Sequence, residues 1–181
     1  MLSTAERSSL LAHARLAVRE AAAGREPAAP APPSDSPSLA AAAGAFVTLH
    51  GSGRSLRGCI GYVEARRPLW VTVWDAARQA ALDDPRFQPV NHAEVDTLAI
   101  EISVLGALQA ADPASVRIGQ HGIVLSRGPR RGLLLPQVAV EHGWDAERFL
   151  EAGCEKAGLP PNSWRDAGAR IEVFTAEVFG T

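Results

Sequence analysis

Between Leu98 and Leu105 the chain alternates without interruption. Leu98, Ile100, Ile102 and Val104 fall on one side of an extended backbone, and Ala99, Glu101, Ser103 and Leu105 on the other. A period of two held over eight residues does not suit a helix and requires a sheet with one face on a core. Such a strand needs partners, and the sequence offers them as hairpins. Phe46–His50 and Ser55–Tyr62 flank the turn residues Gly51-Ser52-Gly53, and Ile123–Ser126 and Gly132–Leu135 flank Arg127-Gly128-Pro129-Arg130-Arg131. A last strand is expected over Ile171–Phe179.

The helical patterns lie outside these hairpins. Thr4–Arg25 repeats Leu10, Ala14, Val18 and Ala21 at helical spacing, with Ser3 or Thr4 as cap and Gly24 as its end. Leu69–Leu82 follows Pro68 at a first helical position, turns Val73, Ala77 and Ala80 or Ala81 inward, and is broken by Asp83-Asp84-Pro85. Pro136–His142 reads as a short helix. Asp145 caps another over Ala146–Ala157, which Gly158 ends. Hairpins outnumber strand–helix–strand units, so the expected fold is α+β, a mainly antiparallel sheet flanked by helices. The 181 residues suit one domain, or two small interleaved lobes. Five prolines between Pro27 and Ser38 make an extended connector there, and Leu39–Ala43 an Ala-rich turn.

Composition narrows the function. A formal net charge of −2 argues against a nucleic-acid binder. No apolar run is long enough to span a bilayer, and Glu6, Arg7, Arg15, Arg19 and Glu20 interrupt any signal-peptide core, so no membrane role is expected. Cys59 and Cys154 cannot build a disulfide framework and fit a reducing, cytoplasmic setting.

The segment Leu56-Arg57-Gly58-Cys59-Ile60-Gly61 holds the least ordinary local chemistry. On a strand, Arg57, Cys59 and Gly61 share a face, with Arg57 about 7 Å from Cys59. A guanidinium at that range favours the reactive thiolate. Gly58 and Gly61 mark a bulge, or a place where a backbone or ligand comes close. The alternative is a small buried cysteine between packing glycines. A nucleophilic cysteine needs a base, and His121, on the loop after Gly119, and His50, at the hairpin end, are the candidates. Glu101 and Ser103, opposite the core stripe of their strand, are either solvated or line a pocket. Cys154 aligns with Leu150 and Ala157 and reads as core. No HExxH, clustered His/Cys set, phosphate-loop or dinucleotide motif occurs, so neither metal nor cofactor is expected. Arg127, Arg130 and Arg131 form a basic hairpin tip, open either to solvent or to an anion or acidic partner.

Taken in order, Phe46-Val47-Thr48-Leu49, Leu56 to Gly61, Asp84-Pro85-Arg86-Phe87, Glu101 to Leu105, Gly119-Gln120-His121-Gly122, Leu134 to Ala139, Gly143-Trp144-Asp145, Phe149-Leu150 and Lys156 to Leu159 resemble the AMMECR domain family. That family includes the bacterial form called AmmeMemoRadiSam system protein A, and the resemblance runs along essentially the whole chain. It implies a larger lobe with a sheet flanked by helices, a smaller lobe, and a cleft between them. It also places Arg57, Gly58, Cys59 and Gly61 in the family's signature element, suspected of forming an active or binding site. The resemblance also implies an association, by name and gene neighbourhood, with Memo-like proteins, which resemble metal-dependent dioxygenases, and with radical-SAM proteins, as candidate partners. The Pro/Ala connector and the Arg-rich 127–131 turn depart from the family pattern.

Two functions follow. In one, the chain is an enzyme or substrate-binding component for an unknown small-molecule or protein substrate. Cys59, Arg57 and His121 would be catalytic, and Gly58, Gly61, Glu101 and Ser103 would line the substrate site. In the other it is a non-catalytic docking module of the same system. A reactive, accessible Cys59 separates them.

Overall fold

The computed structural model describes residues 1–33 and 35–181; Ser34, inside the expected connector, lies outside the described residues. The helices are α1 (Thr4–Ala22), α2 (Pro37–Ala40), α3 (Leu69–Leu82), α4 (Pro136–Glu141) and α5 (Ala146–Lys156). The strands are β1 (Ala45–His50), β2 (Leu56–Tyr62), β3 (Ala99–Leu105), β4 (Gln109–Ala110), β5 (Gly122–Arg127), β6 (Arg130–Leu134), β7 (Arg170–Phe174) and β8 (Ala176–Gly180). They form two four-stranded sheets, ordered β2-β1-β3-β8 and β4-β7-β5-β6, and the fold is α+β. The chain divides into two compact units, Met1–Leu105 with Glu177–Thr181, and Gly106–Ala176.

In the first unit, α1 and α3 cover one face of the sheet. Ser3 caps α1 in a reciprocal box with Glu6, each side chain meeting the other's backbone N–H. Ala14, Ala17 and Val18 of α1 and Val73, Ala77 and Ala80 of α3 are buried against Val47, Leu49, Ile100 and Ile102. Gly58 lets α3 come this close, because a Cβ there would sit 2.1 Å from the Ala80 carbonyl oxygen. Between the two helices, the buried His13 ring stacks on Trp70 at 3.6 Å and donates from Nε2 to the Trp70 carbonyl at 3.0 Å. Burial holds its pKa down to about 4. Trp70 Nε1 in turn donates to the Pro30 carbonyl at 2.7 Å, so the proline connector is tied to the helices.

In the second unit, α5 packs on Ile123, Leu125, Ile171 and Val173, with Phe149, Leu150 and Cys154 buried between. Asp145 caps α5 by accepting from the Arg148 N–H. Cys154 is core, and its burial pushes the thiol pKa up.

Several boundaries differ from the sequence reading. The single strand expected over 171–179 is two: β7 belongs to the second sheet and β8 to the first, with the break at Thr175. Adjacent Val173 and Phe174 are both buried, which one half-exposed strand cannot arrange. The five-residue arginine turn shrinks to Gly128-Pro129, because Arg127 pairs with Arg130 and Ser126 with Arg131. Pro68 is the N-cap of α3, with extended ψ, and not its first helical residue. Helix α1 ends at Ala22, before the positive-φ Gly24.

Candidate active site

Antiparallel register turns one set of side chains in the first sheet away from α1 and α3. Thr48 of β1 lies opposite Cys59 of β2 on one side and Glu101 of β3 on the other. Cys59, Thr48 and Glu101 thus form a row across three strands, its ends about 10 Å apart from two strand spacings. Thr48 Oγ1 donates to Cys59 Sγ at 3.3 Å. The next row holds Phe46, with Gly61 on one side and Ser103 on the other. His50, two residues after Thr48 on the same face, is a diagonal neighbour of Cys59, at about 7–8 Å for such pairs.

Strand β2 is an edge strand, whose outward N–H and C=O groups ordinarily go to water. At Cys59 they go to an ion pair. The Cys59 N–H donates to Asp84 Oδ2 at 2.8 Å, and Arg86 Nη2 donates to the Cys59 carbonyl at 3.5 Å. Asp84 and Arg86 are themselves joined in a two-pronged pair, Nε to Oδ1 at 2.9 Å and Nη2 to Oδ2 at 2.7 Å. The Asp84 side chain is only 3% exposed. The Arg86 guanidinium, and then the Cys59 N–H, hold the Asp84 carboxyl well below the usual carboxylate range, and Asp84 raises Arg86 in return.

Arg57 is engaged elsewhere. The β1–β2 register slips between Leu49 and His50, leaving Arg57 in the bulge. Its guanidinium pairs with Glu94 at 2.9 Å and donates to the Gln88 carbonyl at 2.8 Å, tying the 83–98 loop to β2. Glu101 faces Arg54, whose Nη2 lies 3.9 Å from Oε2. Arg54 has a φ of 60°, the left-handed region. His50 Nδ1 donates to the Arg54 carbonyl at 3.3 Å, which makes Nε2 the acceptor in the neutral ring. That Nε2 is buried and has no hydrogen-bond partner among the described residues.

The structure therefore brings Cys59, Glu101 and Ser103 to one face, with Ser103 buried and neither solvated nor open. The room a Cβ would need is taken by Ala80 backbone at Gly58 and by the Phe46 ring at Gly61, 2.4 Å away. His121 belongs to the second unit, where its Nδ1 accepts from the Arg117 N–H at 3.3 Å. The sequence reading missed Thr48, Asp84, Arg86 and Glu94 as neighbours of this element. Asp84 shows in the sequence as part of a helix-ending turn, and both Asp84 and Arg86 fall in a family-like segment, but neither points to Cys59, because their bonds reach 25 and 27 residues back. Among the described residues, no group of three or more His, Cys, Asp or Glu is placed to hold a metal ion. No helix among them is long and apolar enough to cross a membrane.

Comparison with known proteins agrees with the motif order. The AMMECR1 family model matches residues 11–179. A protein of Methanothermobacter thermautotrophicus is 48% identical over 143 residues, covering 75% of this chain and 74% of that protein. Protein NEQ441 of Nanoarchaeum equitans is 43% identical over 144 residues, covering 76% of this chain and 80% of that one. The crystal structure of the uncharacterized protein PH0010 from Pyrococcus horikoshii superposes with a TM-score of 0.87 at 41% identity, over 95% of this chain and 89% of that one. A chain matched almost end to end in both sequence and fold belongs to the AMMECR1 family.

Proposed function

We propose that the polar face around Cys59 is the working site of a cysteine-dependent enzyme or substrate-binding component, acting in the cytoplasm alongside Memo-like and radical-SAM proteins. The observation that carries this reading is the Asp84–Arg86 pair on the Cys59 backbone. Burying a carboxylate is costly, and a merely packed edge cysteine could leave its N–H and C=O to water. Spending an ion pair on one residue suits a group whose position matters. Cys59 is also only partly buried, while Cys154 is fully buried.

In this reading a histidine takes the Cys59 proton and Sγ adds to an electrophilic carbonyl carbon of the substrate, the C=O π pair moving onto the carbonyl oxygen. His50 offers an acceptor nitrogen on the same face. His121 is the other candidate. Arg57 is a positioning residue, acting through Glu94 and the loop it holds. Glu101 binds substrate from the far end of the row, and Ser103, buried in the next row of the same face, supports it from the side.

Iodoacetamide labelling of the folded protein, followed by mass spectrometry, tests the proposal. Cys59 should react at least ~10-fold faster than Cys154, as expected for an accessible thiol beside a base against a buried one. Replacing His50 by Gln or His121 by Ala then shows which imidazole the rate depends on. Labelling of Cys59 only on unfolding overturns the proposal and leaves the docking-module function.

A further inference from the structure

A cysteine that adds to a carbonyl carbon leaves a negative charge on the carbonyl oxygen, and that charge needs a donor. The nucleophile's own backbone N–H can serve, but at Cys59 it is already given to Asp84 Oδ2 at 2.8 Å. The Thr48 hydroxyl is engaged too, donating to Sγ at 3.3 Å. Arg57 gives Nε to Glu94, Nη1 to the Gln88 carbonyl, and Nη2 to Glu94 and the Pro89 carbonyl. Arg54 lies at the other end of the row, facing Glu101.

Arg86 is placed differently. Its Nε and Nη2 grip Asp84 along one side of the guanidinium, and Nη2 also donates to the Cys59 carbonyl. A guanidinium is planar, so the Nη1 hydrogen beside that second bond runs parallel to it and points toward Cys59 as well. Nη1 makes no hydrogen bond among the described residues, and the side chain is 54% exposed. Asp84, though negative, has nothing left to offer a ligand. Its buried oxygens accept from the Cys59 N–H, the Arg86 N–H and the guanidinium. The pair therefore turns only donors outward. Asp84 first, and then the charge of a Cys59 thiolate, hold Arg86 above its ordinary pKa, as two side chains within Coulombic range should.

We propose that Arg86 is a catalytic residue of the Cys59 site, its Nη1 donating to the oxyanion formed from an acyl substrate, an ester, thioester or amide. The proposal rests on the cysteine reading above and names its substrate class. The histidine takes the thiol proton, Sγ bonds to the carbonyl carbon, and the π pair settles on the oxygen beside Nη1. When that pair re-forms C=O, the bond to the leaving group breaks. The leaving group departs with its electron pair and the histidine's proton, and the acyl group stays on Sγ as a thioester. Asp84 is a positioning residue, holding the guanidinium in place before the charge develops.

The test compares two reagents on Cys59 of the full chain at one pH, read by mass spectrometry. p-Nitrophenyl acetate acylates through an oxyanion, and iodoacetamide alkylates without one. Both consume the same thiolate, so the ratio of their rates does not depend on its ionisation. The folded protein should show an acylation-to-alkylation ratio at least ~10-fold above that of Cys59 in the urea-unfolded chain, and Arg86→Gln should return it to the unfolded value. Because Arg86→Gln leaves a buried carboxylate unpaired, Asp84→Asn combined with Arg86→Gln removes both charges and should show the same loss. Arg86→Lys, a point charge without the fork, should keep part of the ratio. A folded ratio equal to the unfolded one, or a ratio that survives the loss of Arg86, would overturn the proposal while the cysteine reading stands. Cys59 untouched by either reagent until the chain unfolds would overturn both.

Discussion

The two edge strands β2 and β6 solve one packing problem alike and then part company. Each carries a glycine where a helix presses on the sheet. A Cβ at Gly58 would lie 2.1 Å from the Ala80 carbonyl oxygen, and one at Gly132 2.5 Å from that of Gly153. The next residues differ. Cys59 has its backbone held by a buried carboxylate and a guanidinium, whereas Leu133 is a half-buried apolar residue with no charged pair at its backbone among the described residues. Glycine in such a strand is thus an architectural requirement in both units. What marks β2 as unusual is the ion pair, which close packing does not require.

Removing the shared feature should have the largest effect. Gly58→Ala and Gly132→Ala each push a methyl group into helix backbone that cannot rotate away, so each should lose about 3 kcal/mol or more in urea unfolding. If Gly58→Ala were tolerated and Gly132→Ala were not, the likeness of the two strands would fail.

Removing the distinguishing feature should come next. Asp84→Ala strands the Cys59 N–H and leaves Arg86 unpaired; because Arg86 is half in solvent, the expected loss is about 2–3 kcal/mol. The pH dependence carries the same signature. The folded-state pKa of Asp84 is depressed, so its contribution is present above the unfolded value of about 4 and is lost as the pH falls further. In Asp84→Asn that acid-limb loss should shrink.

His13 gives an intermediate effect with a different window. Its folded pKa of about 4 lies below the unfolded value of about 6.5, so its contribution is complete above pH 6.5 and falls as the pH drops toward 4. The expected loss between those limits is about 2 kcal/mol, seen as a falling melting temperature and reduced in His13→Gln. Arg57→Ala should cost least, about 1 kcal/mol, since its partner Glu94 is one-third exposed. A loss in Arg57→Ala as large as that in Asp84→Ala would move the focus of the β2 edge from Cys59 to the loop.

The parts of this protein governed by neighbouring residues were legible in its sequence. The hydrophobic alternation of β3, the Ser3–Glu6 and Asp145 caps and the core position of Cys154 follow from spacings of two, three and four residues. So did the family, because the ordered motifs run along the whole chain. The site was half legible: Cys59 and Glu101 could be placed on faces, but Arg57 was read as the partner of Cys59 when its guanidinium is committed to Glu94 and the Gln88 carbonyl. A strand fixes which way a side chain leaves the backbone, and a long arginine then goes to whichever acceptor the rest of the fold presents.

The sequence by itself determined the α+β class, the hairpins, the helix ends near their caps and glycines, and the unusual chemistry of residues 56–61. Those properties are written in local sterics and in hydrophobic periods that need no distant partner. Tertiary structure alone decided that residues 170–180 split between two sheets, that Thr48 and Glu101 join Cys59 in one row, and that Asp84 and Arg86 complete its edge. Each depends on strand register or on a contact spanning 11 to 53 residues of chain. Such pairings are selected by the energy of the whole packed core, not by any window of sequence that contains them.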